Sequence, residues 1–181
     1  MGYYKKLAGK GCYLSPLSAD DADTCAAWLN DLELTRFLTL APANVTLASE
    51  REILDRISRE HNYGIVEQMS DTLLGVCGFV GLDHLNQTGE AGIFIGDKGS
   101  WNRGLGTEAM NLLLWYGFRY LNLHSVMLKT YSFNERALKS YRKCGYREIG
   151  RRREALLREG AFHDEIYMDV LARDFTWIPG E

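Results

Sequence analysis

The chain is sparing with the features that mark secreted, membrane-spanning and nucleic-acid-binding proteins. It has three prolines and four cysteines in 181 residues. The cysteines, Cys12, Cys25, Cys77 and Cys144, are scattered, with no C-x-x-C pair. They read as reduced thiols in a cytoplasmic protein, not as a disulfide framework or as ligands to a metal. No apolar run is long enough to form a membrane-spanning helix. The opening Met1-Gly-Tyr-Tyr-Lys-Lys6 lacks the apolar core of a secretory signal, and Lys6 stands where myristoylation wants Ser or Thr. Positive charge is not in excess: the formal net charge of −3 argues against non-specific nucleic-acid binding. The histidines, His61, His84, His124 and His163, fall in no catalytic pattern. With no repeat, low-complexity tract or linker, residues 1–181 are expected to form one domain.

What charge there is lies unevenly. From residue 18 to 60 the acids are Asp20, Asp21, Asp23, Asp31, Glu33, Glu50, Glu52, Asp55 and Glu60, against Arg36, Arg51, Arg56 and Arg59. From 98 to 153 the balance reverses: Lys98, Arg103, Arg119, Lys129, Arg136, Lys139, Arg142, Lys143, Arg147 and Arg151 to Arg153 face only Glu108, Glu135 and Glu148. A basic half suits an anionic ligand and an acidic half a cationic one, although most such charges lie on solvated helix faces.

Periodicity gives the element order. Cys12 to Leu17 reads as a strand, Ser18 as a helix cap, and Ala22, Cys25, Ala26 and Leu29 as one helix face. A short helix over Leu32 to Leu38, a loop at Pro42 and a helix over Leu47 to Arg59 follow, the last with Ile53, Leu54 and Ile57 on one face. Tyr63 to Met69 and Leu73 to Leu82 read as a hairpin, His84 to Gly89 as a loop, and Glu90 to Gly96 as a central strand. A long helix begins at about Gly104, with Leu105, Ala109, Leu112, Leu113, Tyr116 and Tyr120 as its apolar stripe. Then come a strand over Ser125 to Tyr131, a helix over Asn134 to Lys143 and a final strand pair turning near Glu159-Gly160, with Trp177 to Pro179 as a tail.

The strand, glycine turn and helix start at Glu90 to Thr107 suit a bound phosphate. The first N–H groups of a helix lack internal partners, and Gly104 and Gly106 let a ligand approach the backbone. Gly99 and Gly104 have P-loop spacing, but Leu105-Gly106 stand where Lys and Ser/Thr are required. Gly104, Gly106 and Ala109 match a dinucleotide G-x-G-x-x-A. That pattern should open the first βαβ unit and be followed by an acid on the next strand, and Ser125 to Tyr131 has none. A glycine-rich connection without a ligand is the remaining plain alternative.

The turn also resembles motif A of the GNAT N-acetyltransferase superfamily, Q/R-x-x-G-x-G/A, with Trp101 at the first position and Gly104 and Gly106 at the small ones. Trp there, followed by Thr107-Glu108-Ala109, is similar to the branch that holds ribosomal-protein N-terminal acetyltransferases and spermidine acetyltransferases. Asn134, Ala137, Tyr141, Lys143, Gly145 and Tyr146 fill every marked position of motif B, N-x-x-A-x-x-x-Y-x-K-x-G-F/Y. The resemblance spans nearly the whole chain. It implies a mixed α/β fold, mostly antiparallel, with acetyl-CoA held between two splayed central strands.

By that resemblance, backbone groups near Phe94 and Ile95 meet the pantetheine arm and acetyl carbonyl, and one N–H stabilises an oxyanion. The turn of Asn102, Arg103, Gly104, Leu105, Gly106 and Thr107 receives the pyrophosphate, and Asn134, Ala137 and Lys143 complete the cofactor side. Tyr141 is the implied acid for the departing thiolate. Glu90, opening the central strand, is either a base acting through water or an exposed strand-end carboxylate. Trp28, Asp31 and Glu33, among the early helices, are the candidates for holding the acceptor. The expected activity is acetyl transfer to a primary amine, with no metal, nucleic acid or membrane partner. A protein N-terminal α-amine comes first, spermidine close behind, an aminoglycoside third, and a silent CoA-binding sensor is the rival of a different class. The motifs describe the cofactor half, so acceptor identity and oligomeric state stay open.

Overall fold

The computed structural model describes residues 2–39, 41 and 43–180; the expected loop at Pro42 lies outside them. Eight strands form one sheet. The first six are β1 (Leu7–Ala8), β2 (Cys12–Pro16), β3 (Asn62–Glu67), β4 (Leu73–Asp83), β5 (Thr88–Ile95) and β6 (Ser125–Tyr131), and they lie side by side in chain order. The last two exchange places, so β8 (Ala161–Leu171) pairs with β6 and β7 (Arg147–Arg158) forms the edge. All neighbours are antiparallel except β5 and β6. Parallel neighbours need a crossover, and helix α4 (Leu105–Arg119) supplies it.

Strand alternation divides the core between the two faces of the sheet. On β2, Cys12 and Leu14 pack beneath α4 with Ile65, Leu74, Val126, Leu128 and Met168. Tyr13 points the other way, with Leu17, Ala22, Cys25, Leu54, Val66 and Leu73, toward α1 (Ala22–Leu29) and α3 (Leu47–Ile57). In α4 the buried face is broader than the expected stripe: Met110 and Leu114 are also fully buried, while Tyr120 is exposed and stacks on Tyr116. All four cysteines are buried and free.

Several details differ from expectation. β5 begins at Thr88, so Glu90 is its third residue and does not open it; the preceding loop is shorter than His84 to Gly89. Helix α2 (Leu32–Thr35) is one turn, continued to Leu38 by tighter i→i+3 bonds, Phe37 N–H to Leu34 and Leu38 N–H to Thr35. Trp177 in the tail packs against the main core.

Candidate active site

The site begins where two strands part. β5 and β6 are paired only from Thr88 to Glu90 and from Ser125 to Met127. On the other edge of β5, the ladder with β4 shifts register between Phe79 and Gly81, leaving Val80 as a bulge opposite the Glu90–Ala91 step. A bulge bends its strand and sharpens local twist. Beyond Glu90 the strands diverge around a cleft of about 950 Å³.

Gly96 N–H donates to Leu74 on β4. By the alternation of an antiparallel ladder, the backbone groups of Phe94 then face β4, while those of Ile93 and Ile95 face the gap. The Ile95 carbonyl is already occupied, by the Trp101 indole N–H at 2.9 Å. The Phe94 ring meets Trp28 edge to face at 6.3 Å. Trp28 itself lies under Gly96, where an added Cβ would collide with the indole. It buttresses the strand end and is not among the residues lining the cleft.

The glycine turn is shaped by two left-handed residues, Asn102 (φ 63°) and Gly104 (φ 83°). Glu108 N–H makes the first intrahelical bond of α4, to Gly104. The amides of Leu105, Gly106 and Thr107 are therefore the unpaired donors at the positive end of a 15-residue helix. A Cβ on Gly104 would meet no atom within 4 Å, so the space before these amides is open. The Leu105 side chain is buried in the core, and the Arg103 guanidinium is bound to Glu67 at 2.7 Å, so these two offer only their backbone to the turn. Thr107 Oγ1 lies 2.8 Å from Ser140 Oγ, tying α4 to α5 (Glu135–Lys143).

Helix α5 forms the opposite wall. The Asn134 side chain accepts from Ala137 N–H at 3.2 Å and caps the helix. Tyr141 lines the cleft, 9% exposed, its ring edge-on to Tyr146. Burial pushes its hydroxyl well above the ordinary tyrosine pKa, with a smaller push from Cys144. It therefore stays protonated across the working range and keeps a proton to donate. Lys143 also lines this end. Arg136 lies 3.8 Å from the centre of the Trp101 ring and 5.5 Å from that of Phe37, linking the two ends of the cleft.

Glu90 lines the cleft at the parting point, 3.4 Å from Lys129 of β6. Asp31 and Glu33 are not among the lining residues. Both are bound to Lys98, Asp31 at 2.6 Å, and its hydrogen bond with Lys98 lowers the Asp31 pKa.

Three features around the early helices were missed in the sequence. Phe37 stacks on Phe133, which stacks in turn on Tyr131. Arg158, at the tip of the β7–β8 hairpin, donates to the Arg36 and Leu38 carbonyls at 3.3 and 2.9 Å, and neighbouring Glu159 binds Arg36 at 3.1 Å. Glu50 lines the cleft yet is only 4% exposed. Its signal was present: Glu50, Ile53, Leu54 and Ile57 fall at i, i+3, i+4 and i+7, so a carboxylate begins an apolar stripe.

A parallel strand pair that splays over a helix N-terminus is the arrangement the motif resemblance implies. A family model described as the acetyltransferase (GNAT) domain matches residues 12–147. The chain belongs to the GNAT acetyltransferase family. It is similar to N-acetyltransferase p20 of Bacillus licheniformis, 26% identical over 90% of this chain and 94% of that one. Among solved structures, spermidine N-acetyltransferase of Vibrio cholerae, in complex with CoA and spermine, superposes with a TM-score of 0.80 at 20% identity, covering 91% of this chain and 97% of that one. The ribosomal L7/L12 α-N-protein acetyltransferase RimL, in complex with CoA, gives 0.78 at 12% identity over 90% and 95%. At such identities these two likenesses speak to the fold alone. As a GNAT acetyltransferase the protein uses acetyl-CoA as acetyl donor.

Proposed function

We propose that the protein acetylates the primary amine of an aliphatic, cationic small molecule of the polyamine class. One observation carries this reading: the acceptor end of the cleft is walled by Leu29, Leu34, Ile53, Leu54 and Ile57. Methylene segments lose water favourably against such a wall. A peptide would bring backbone amides, each costing about 1–3 kcal/mol if buried without a partner. This reverses the order expected from the sequence, which put a protein N-terminal amine first. Asp31 and Glu33, the earlier candidates for the acceptor, pair with Lys98 outside the cleft lining.

On the donor side, the amides of Leu105, Gly106 and Thr107 receive the pyrophosphate, with Asn102 and Gly104 shaping the turn and Lys143 adding charge. Ile93 and Ile95 offer backbone groups to the pantetheine arm and acetyl carbonyl. Asn134 and Ala137 hold α5 in place, and Tyr141 donates its proton to the departing thiolate. Glu90 takes up the proton from the attacking amine through water. An alkylamine has a reference pKa of about 10.4, so freeing it at pH 7 costs about 4–5 kcal/mol, and a nearby carboxylate is useful.

A thiol-release assay with acetyl-CoA tests the reading across polyamines, N-terminal peptides and aminoglycosides. The highest kcat/KM is expected for a polyamine; a clear preference for a peptide would overturn the acceptor class.

A further inference from the structure

We propose that Glu50 seats the second, non-reacting ammonium group of an aliphatic di- or polyamine acceptor; this rests on the polyamine reading above. Glu50 stands in the first turn of α3, behind a cap made by Thr46, whose side chain accepts from Ser49 N–H. Negative charge is favoured at that end of a helix. The carboxylate is nevertheless almost entirely buried, and its Oε2 has no hydrogen-bond partner. A buried charge without a partner is costly, and proteins retain one only where something is gained.

The other carboxylates lining the cleft are matched. Glu90 has Lys129 and Glu135 has Lys139, and just outside it Asp31 and Glu33 share Lys98. The cations that line the cleft, Lys129, Arg136, Lys139 and Lys143, belong to β6 and α5, across from α3. Glu50 instead shares the cleft lining with the apolar side chains of Ile53, Leu54 and Ile57 on its own helix and with Leu29 and Leu34. An alkyl chain along these side chains, ending in an ammonium on Glu50, covers the apolar surface and gives the carboxylate a cationic partner in one step. Neither a peptide α-amine nor a neutral alkyl group does both. A simple protonated carboxyl, buried for packing, would leave acceptor selectivity untouched, so the two roles separate by experiment.

The test compares 1,4-diaminobutane with butylamine as acceptors, since they differ only in the second charge. Wild-type kcat/KM is expected to favour the diamine by about tenfold to a hundredfold, the range for a charge-assisted hydrogen bond. Glu50→Gln, near-isosteric, should abolish most of that preference, chiefly through KM, and Glu50→Met should do the same. Without turnover, the diamine should raise the melting temperature of the CoA-loaded wild type and not of Glu50→Gln. A preference that survives in folded Glu50→Gln overturns the assignment, as does a wild type indifferent to the second charge; in both cases amine acetylation itself stands. If neither amine is a substrate while an N-terminal peptide is, the polyamine reading fails and the assignment of Glu50 with it.

Discussion

The Glu90 carboxylate lies 3.4 Å from the Lys129 ammonium, at the last step where β5 and β6 are still paired. The candidate base is therefore held by a partner on the neighbouring strand, aimed across the mouth of the cleft. Glu90→Gln keeps the shape and removes the proton acceptor. For a polyamine, kcat/KM at pH 7 should fall by about 10²-fold and recover as pH approaches about 10, where the amine frees itself. Rate-versus-pH profiles of both enzymes check this. A profile parallel to wild type would give Glu90 a positioning role only.

Gly104 caps α4 with φ at 83°, in front of the three unpaired amides. Gly104→Asp adds a negative charge there and a left-handed penalty of about 1–2 kcal/mol. Calorimetry should show acetyl-CoA affinity at least about tenfold weaker, the energy of a single charged hydrogen bond. Gly104→Ala, with the strain and not the charge, should lose far less. Equal affinity in all three proteins would remove the turn from the donor site.

Tyr141→Phe should lower turnover by about 10²–10⁴-fold, the usual range for a general acid, with acetyl-CoA affinity nearly intact. Because burial raises the Tyr141 pKa, the donor stays protonated, and wild-type activity should show no tyrosine-like decline as pH rises toward 10. Stopped-flow turnover and a pH profile test both points. Wild-type turnover in the variant would rule the acid role out.

Burial also raises the Glu50 pKa. The folded state then holds that proton more tightly than the unfolded chain, whose reference value is about 4.3. Glu50 is thus harmless to stability below that value and costs stability as pH rises through its higher folded value. Cys25 on α1 is a titratable neighbour, itself raised to about 12 by burial first and then by Glu50 and Asp21. Denaturant melts from pH 4 to 7 should show Glu50→Gln gaining on the wild type as pH rises. A constant difference would mean that Glu50 is not strained by its surroundings.

The glycine turn and the α5 cap, the proposed donor end, were legible because they are local. Asn134 caps α5 three residues from its partner Ala137, and Gly104 precedes an apolar period that runs through Ala109 to Leu113. β2 and β6 were likewise legible as strands. The proposed acceptor end was not legible, because it is made of contacts far apart in the chain. Lys98 reaches back to Asp31 and Glu33, and Arg158 to Arg36 and Leu38. Whether a carboxylate is free or neutralised depends on such partners, which no local pattern carries. β5 began early for a related reason: Thr88 and Gly89 look like loop residues, and their pairing with Ser125 and Val126 makes them strand.

Acetyl transfer releases a thiol, and the protein's own thiols are all inside it: Cys12, Cys25, Cys77 and Cys144 are each at most 3% exposed. Burial holds every one of them above the ordinary thiol pKa, Cys144 at about 12. Since thiolate is the reactive form, the native chain should be nearly silent toward a thiol-reactive dye. Colour in such an assay then counts turnovers with little background from the catalyst. Without substrate, the same dye becomes a clock for unfolding, since the four sulfurs can react only when the core opens.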